Sequence, residues 1–387
     1  MKRFGLLPRI VLAIILGVII GKLAPDWTVR ILATFNDLFG NFLGFIIPLI
    51  IIGFIAPGIA QLGKGAGKLL GITAGIAYLS TITAGLLAFF ATSIIYPNIL
   101  KVDGFLTSFE NPEEGLLPSY FTVEMAPIMG VMSALLLAFL LGLGVTLIKG
   151  DTLTKGLVEF RGIIEKVISA IIIPLLPIHI LGIFANMSKA GQVETILSVF
   201  GKVFILVIIL HFVMLLFQYT GSGMLNRKNP LSMMKGMLPA YFTALGTQSS
   251  ASTIPVTLRQ TKKMGVRERI ADFTVPLLAT IHLSGSTITL VSCSMAIMFL
   301  MGDTPTIAAV LPFIMMLGIT MIAAPGVPGG AVIAALGLLE TMLGFDQTMI
   351  TLMIALYLAQ DSFGTACNVT GDGAISASVD RIDRMGR

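Results

Sequence analysis

Asp361, Thr365, Asn368 and Asp372 recur at intervals of four, three and four residues near the end of the chain. That spacing puts two carboxylates, a hydroxyl and an amide on one face of a helix. Such a face offers hard oxygen donors and negative charge, which suit a metal cation or an amine. The run around it is apolar, and ionisable groups at membrane depth are costly enough that they face a water-filled or ligand-filled cavity. A plain membrane anchor needs none of these side chains.

The elements that hold this face follow from composition. With 387 residues, 56% hydrophobic and 12% charged, and a mean hydropathy of +0.96, the chain has too few charges to cover a soluble globule. It reads as an all-α polytopic membrane protein. Ten-residue alternating strands with aromatic girdles are absent, which argues against an outer-membrane barrel. The net charge of +5 comes from basic residues scattered in short loops, a topology signal and not a nucleic-acid surface. Cys293 and Cys367 sit in apolar surroundings without metal-site or disulfide spacing and read as plain buried thiols. The apolar run after Met1, Lys2 and Arg3 reads as a first span, because no small-residue cleavage site follows it.

Apolar segments over 8–24, 36–60, 70–97, 127–148, 162–186 and 196–220 each approach the roughly 20 residues a spanning helix needs. Lys2 and Arg3, then Lys64 and Lys68, then Lys149, Lys155 and Arg161 mark alternate loops. The loop after the third span holds Lys101 against Asp103, Glu110, Glu113, Glu114 and Glu124. The Lys and Arg bias predicts cytoplasmic N- and C-termini in a multi-pass inner (plasma) membrane protein. Basic residues flank 229–263 on the same side, so this segment is expected to be a re-entrant hairpin with Gly246-Thr-Gln-Ser-Ser-Ala-Ser-Thr-Ile-Pro255 at its turn. A second break, Ala324-Pro-Gly-Val-Pro-Gly-Gly330, interrupts 305–345. Irregular backbone at membrane depth lines a cavity or is buried in protein. Two interrupted segments, each followed by a full helix, point to inverted repeats at about 229–302 and 305–378, the pattern of a secondary transporter.

Three motifs in order then carry a resemblance. Ser249-Ser-Ala-Ser-Thr-Ile-Pro255, Gly326-Val-Pro-Gly329 and Asn368-Val-Thr-Gly-Asp372 resemble the first hairpin tip, the second hairpin tip and the last-helix signature of the dicarboxylate/amino acid:cation symporters. That family holds the glutamate transporters and the neutral amino acid exchangers. The resemblance implies eight transmembrane helices, two re-entrant hairpins, a homotrimer and an elevator motion. It implies scaffold spans one and two over 1–69, span three in the transport domain over 70–97 and an extracellular loop over 98–126. Scaffold spans four and five would cover 127–188, and the remaining transport domain 189–387.

Carried over by motif, Asp361 resembles the carboxylate that holds a substrate α-ammonium, and Thr365 and Asn368 resemble neighbouring substrate contacts. Asp372 resembles a sodium-binding carboxylate, with Asn368 and carbonyls near Leu278 and Thr280 completing the shell. A second Na+ is expected at backbone carbonyls near Ala323 and Ala324. Ser250, Ser286 and hairpin amides are expected to receive the substrate carboxylate, and the tip carrying Val327 and Gly329 to close over it. Members that take acidic substrates place an arginine three residues after the Asp361 position or just before the hairpin serines; here stand Gly364 and Gln248. A second substrate carboxylate would be buried unpaired, which disfavours glutamate, aspartate and dicarboxylates. Gly364 also leaves room for a side chain, and the family's serine/threonine transporters likewise lack the arginine.

In span seven the family's Asn-Met-Asp-Gly-Thr is replaced by His282-Leu-Ser284-Gly-Ser286. The sodium site built on that lost acid keeps Tyr78 and Thr81 but has Ile82 in place of a serine. His282 is therefore either a proton site or a neutral hydrogen-bonding core residue, while His179 and His211 read as structural. The sequence thus predicts a sodium-coupled symporter of a neutral amino acid, serine-, threonine- or alanine-like or larger, in a lipid bilayer and without nucleic-acid partners. An obligate exchanger and a proton-coupled carrier of an amino acid or dicarboxylate stay open as alternatives. An intramembrane hydrolase would have to use Ser250 with His282 and lacks an orienting acid in any recognised pattern, so the chain is not expected to be an enzyme.

Overall fold

The computed structural model describes residues 6–63, 68–100, 116–191, 193–322, 324 and 329–385. Among the described residues every regular element is helical. The chain runs through α1 (Leu6–Leu23), α2 (Asp26–Gly63), α3 (Lys68–Ile99) and α4 (Val131–Leu147). Next come α5 (Thr152–Lys189) and α6 (Val193–Asn226). The expected first hairpin comprises α7 (Pro230–Gly236), α8 (Leu238–Thr247) and α9 (Ser250–Lys263), and α10 (Glu268–Ile281) and α11 (Ser284–Leu300) follow it. Last are α12 (Ile307–Met321), α13 (Gly330–Leu343) and α14 (Gln347–Met385).

Each apolar segment read from the sequence carries a helix, and several helices outrun it. α2 begins ten residues before the predicted 36–60, at Asp26, and α5 begins ten before 162–186, at Thr152. The first part of α5, Thr152–Val167, is amphipathic, with Leu157 and Ile164 buried and charges outside, so an apolar window passes over its start. A π-turn at Ile168–Ile172 joins that amphipathic part to the apolar remainder. Among the described residues, six helical stretches are long and apolar enough to cross a membrane. The basic residues Lys2, Arg3, Lys64 and Lys101 and the acidic residues Asp103, Glu110, Glu113 and Glu114 lie outside the described residues.

Small residues set the closest helix crossings. Gly17 and Gly21 of α1 lie one turn apart against α5, where an added Cβ would fall 2.6 Å from Leu181 O and 2.2 Å from Ala185 O. Close approach of this kind lets backbones gain dispersion contact where lipid offers no hydrophobic drive. Gly142 of α4 does the same against α2, 2.7 Å from Ile59 Cβ. Large apolar side chains on outer faces, such as Leu79, Ile94 and Leu136, are exposed, as lipid-facing positions are.

The two helices at the centre are α11 and α14. The most apolar windows of the α10–α11 stretch and of α14 are each 89% buried, although α14 is rich in polar residues. This resolves the apparent conflict of carboxylates in an apolar chain: the polar face of α14 is covered by protein and not by lipid.

Both broken segments resolve into paired short helices. α8 and α9 pack together, as do α12 and α13. At 15 and 14 residues, α12 and α13 reach only about 22 Å each, short of a ~30 Å hydrocarbon core. At the first turn, Gln248 adopts a left-handed conformation (φ 53°) that ends α8. Ser249 then starts α9 by accepting a hydrogen bond from Ser252 N at 3.2 Å. The serine run is thus in part a helix N-cap. At the far end of α9, Lys262 bridges Asp272 at 2.7 Å and Glu268 at 2.8 Å, tying the hairpin to α10. These hydrogen bonds, Asp272 first, hold its ammonium above the ordinary lysine range.

Candidate functional site

The four polar positions of α14 are all buried, and Asp361, Asn368 and Asp372 each meet a different element. Asp361 accepts a hydrogen bond from Gly329 N at 2.7 Å through Oδ2. Gly329 begins α13 with φ +75°, a left-handed conformation suited to glycine, and an added Cβ would lie 2.7 Å from Leu358 Cδ2. The second helix pair is therefore latched to the carboxylate by backbone. Val327, expected at this tip, lies outside the described residues with Ala323, Pro325, Gly326 and Pro328.

Asn368 faces α11. Its Oδ1 accepts from Gly285 N at 2.7 Å and Ser286 N at 3.3 Å, and its Nδ2 donates to Ser286 Oγ at 3.0 Å. The first N–H groups of a helix lack intrahelical partners, and Asn368 supplies one from another helix. Its amide is thus committed to holding the α11 start against α14.

Asp372 accepts from His282 Nδ1 at 2.8 Å through Oδ1, while its buried Oδ2 has no partner among the described residues. The other ring nitrogen of His282 lies 3.0 Å from Ser80 Oγ. Gln218 of α6 completes this cluster, donating to Ser80 Oγ at 2.9 Å and Ser284 Oγ at 3.2 Å and approaching His282 Nε2 at 3.3 Å. A helix-end pairing of Asp372 with Arg381 or Arg384 does not occur: Arg384 binds Asp380 at 2.7 Å, and Arg267 binds Asp380 and Asp383. A buried carboxylate oxygen without a donor suits a cation, because an unpaired buried charge is expensive.

Leu278 and Thr280, expected at unwound backbone, stand in the last turn of α10, and the helix breaks after them at His282 and Leu283. The carbonyl of Leu278 accepts from His282 N at 2.9 Å, and that of Thr280 belongs to the helix end, where carbonyls lack intrahelical donors. Tyr78 donates to Met315 O at 3.4 Å and Thr81 to Ala77 O at 3.0 Å.

A small cavity of about 30 Å³ lies beside Asp361, lined by Ser249, Ser250, Ser286, Ala324, Tyr357 and Thr365 among others. The N-termini of α9 and α11 both reach it, through Ser250 and Ser286. Helix N-termini carry positive potential and so favour an anionic group, although at α11 the Gly285 and Ser286 N–H groups already meet Asn368. Among the described lining residues none is cationic. Asp361 and the two N-termini together form complementary ends for a zwitterion. At Gly364 an added Cβ would meet Ser286 N at 3.4 Å, an ordinary contact distance, on the α11 side.

The chain matches the family model of the Sodium:dicarboxylate symporter family over residues 6–382. It belongs to that family. Serine/threonine transporter SstT of Enterococcus faecalis is 25% identical over 402 residues, covering 99% of this chain and 93% of the relative. SstT of Acinetobacter baumannii is 26% identical over 398 residues, covering 99% and 98%. As a member of the sodium:dicarboxylate symporter family, the chain is an integral membrane protein, and the family and relatives mark a transporter and not an enzyme class.

Within this member of the family, sequence reading missed Gln218, Ser80 and Tyr357. Gln218 had one signal, a lone amide in an apolar span, and Tyr357 had a better one, its place one turn before Asp361 on the same face. His179 and His211 serve packing contacts. His179 pairs with Asn36 at 3.1 Å and Thr351 at 3.0 Å, and His211 with Gly285 O at 3.0 Å and Thr289 Oγ1 at 3.2 Å.

Proposed function

We propose that the protein is a sodium-driven symporter of a small neutral amino acid, serine or threonine in the first place. One observation carries this reading most strongly: a buried carboxylate, Asp361, faces a small cavity bounded by two helix N-termini, with no cationic side chain among the described residues that line it. The substrate ammonium pairs with Asp361, and its carboxylate lies toward Ser250, Ser286 and the N-termini of α9 and α11. Thr365 completes the wall. The names of the SstT relatives agree with this substrate class.

The latch supplies a gate. An ammonium binds a carboxylate more strongly than a backbone amide does, so an arriving amine displaces Gly329 N–H from Asp361 and releases the tip that contains Val327. Closure of that tip over the amino acid follows. In the elevator motion proposed here, α3, α6 and the elements from α7 to α14 move against a trimeric scaffold of α1, α2, α4 and α5. The protein takes sodium as co-substrate at Asp372, whose Oδ2 has no partner among the described residues, with Asn368 one turn away on α14 and the α10 end that carries Leu278 and Thr280 contributing carbonyl oxygen. A second ion is assigned to carbonyls beside Ala323 and Ala324. Two ions, each driven by about 100 mV and a tenfold gradient, supply about 7 kcal/mol, a limit of roughly 10⁵-fold accumulation.

Proteoliposome uptake of labelled L-serine, with and without an inward sodium gradient, tests the reading. Serine, threonine and alanine are expected to enter with sodium, and glutamate and succinate to compete poorly. Strong competition by glutamate would sink the substrate assignment. Uptake that follows counterflow alone, or a proton gradient without sodium, would favour the exchanger or the proton-coupled carrier. The contact of His282 with Asp372 is the feature that keeps the latter in view. Asp372→Asn is expected to raise the half-saturating sodium concentration by about tenfold or more, since a hard cation loses a charged ligand. An unchanged sodium response would move the ion to another part of the molecule.

A further inference from the structure

Tyr357 stands one turn before Asp361 on α14, is 1% exposed and lines the same cavity. Its hydroxyl faces Ser286 and Asp361 but makes no regular hydrogen bond to either. Among the described residues lining the cavity, it is the one fully buried side-chain oxygen left in that condition. Three other polar groups there are engaged: Asp361 holds Gly329 N, Ser286 Oγ accepts from Asn368, and Ser249 caps α9.

A phenylalanine would fill this place with nearly the same shape and leave no polar atom dry. Burying a hydroxyl without a partner is unfavourable, and buried tyrosine oxygens ordinarily find one. Tyr357 lines the cavity between Asp361 and Ser286, so the regular partner its hydroxyl lacks can be supplied by a group on the substrate. The ammonium belongs to Asp361 and the carboxylate to the two helix N-termini. What remains is the side chain, which has to leave Cα between those two ends, on the side that Tyr357 closes.

We propose that Tyr357 is the specificity-determining residue of the site, its phenol hydrogen-bonding the side-chain hydroxyl of serine or threonine. This rests on the amino acid reading given above and deepens it. The phenol can both donate and accept, so a β-hydroxyl satisfies it in either sense. Alanine fits the same cavity but leaves the phenol dry. A site that hydrogen-bonds a substrate hydroxyl penalises the analogue lacking it far more than a merely apolar pocket does.

The test compares L-serine, L-threonine and L-alanine on the full-length protein in lipid nanodiscs, with saturating sodium, by calorimetric titration. Each is measured on the unaltered chain and on Tyr357→Phe. The unaltered chain is expected to bind serine and threonine about tenfold or more tighter than alanine. In Tyr357→Phe that preference collapses to within about twofold, by loss of serine and threonine affinity with alanine nearly unchanged. The substrate-free variant is expected to melt no lower than the parent, because it loses a buried oxygen that makes no regular hydrogen bond. A tyrosine that merely props the helices predicts a lower melting temperature and equal loss for all three ligands, and either result overturns the assignment. Equal affinity for serine and alanine in the unaltered chain also overturns it, while leaving neutral amino acid transport in place. Failure of the unaltered chain to bind any of the three overturns the transport reading and this inference together.

Discussion

Asp361→Asn is expected to weaken serine binding by about a hundredfold or more while the protein stays folded. The variant removes one charge and almost no volume. An asparagine oxygen can still accept the hydrogen bond that Gly329 N gives at 2.7 Å, so the docking of α13 on α14 survives. The fold also loses a buried anion, which carries a desolvation penalty of its own. Ligand binding has no such compensation. The substrate ammonium would enter a water-poor cavity to meet a neutral dipole, and breaking a buried pair by removing one partner costs about 3–5 kcal/mol. Isothermal titration with serine reads the loss, and a melting curve of the substrate-free variant reads the fold. Serine affinity within about threefold of the parent would sink the ammonium assignment. A collapse of the melting temperature would instead make Asp361 chiefly a structural latch.

Much of this site was legible before any coordinates, for identifiable reasons. Asp361, Thr365, Asn368 and Asp372 obey the helical period, and one helix does carry all four as buried residues. The two breaks announced themselves because serine runs and Pro-Gly clusters cannot continue an apolar helix. The resemblance to cation-coupled amino acid symporters rested on the same motifs, and the match over residues 6–382 agrees with it. What stayed hidden depends on contacts between distant segments. His282 and Asp372 are 90 positions apart and Gln218 is a further 64 from His282, and no periodicity reports such a meeting. The same holds for Asn368, which sequence reading placed beside substrate and ion, and whose side chain spans to the first turn of α11. Helix ends were missed for a different reason. Apolar windows sense the hydrocarbon slab, whereas α2 and α5 continue beyond it on hydrogen bonds and amphipathic packing. Gly364 was read as a missing arginine, and its place at the α11 crossing adds a packing context that composition cannot show.

That crossing supports a second large effect. Gly285→Ala is expected to lower the melting temperature by several degrees and to weaken serine binding by about tenfold, whereas Gly364→Ala changes both little. A Cβ on Gly285 would lie 2.4 Å from Gly364 O, 2.6 Å from Cys367 Cβ and 3.2 Å from Asn368 Oδ1. Two of these are backbone or the stem of a side chain on α14, so no rotamer change relieves the clash and the helices must part. Overpacking of this kind costs about 1–3 kcal/mol. The displacement acts directly on the hydrogen bonds from Gly285 N and Ser286 N to Asn368, and so on the α11 N-terminus proposed to face the substrate carboxylate. On the other side of the crossing, a Cβ at position 364 meets nothing nearer than 3.4 Å. The two alanines therefore differ in which helix surface they load, although the glycines touch. Melting curves and serine titrations of both variants decide the matter. Equal tolerance of the two would mean that α11 and α14 are spaced more widely in the membrane, and that Asn368 does not cap α11 there.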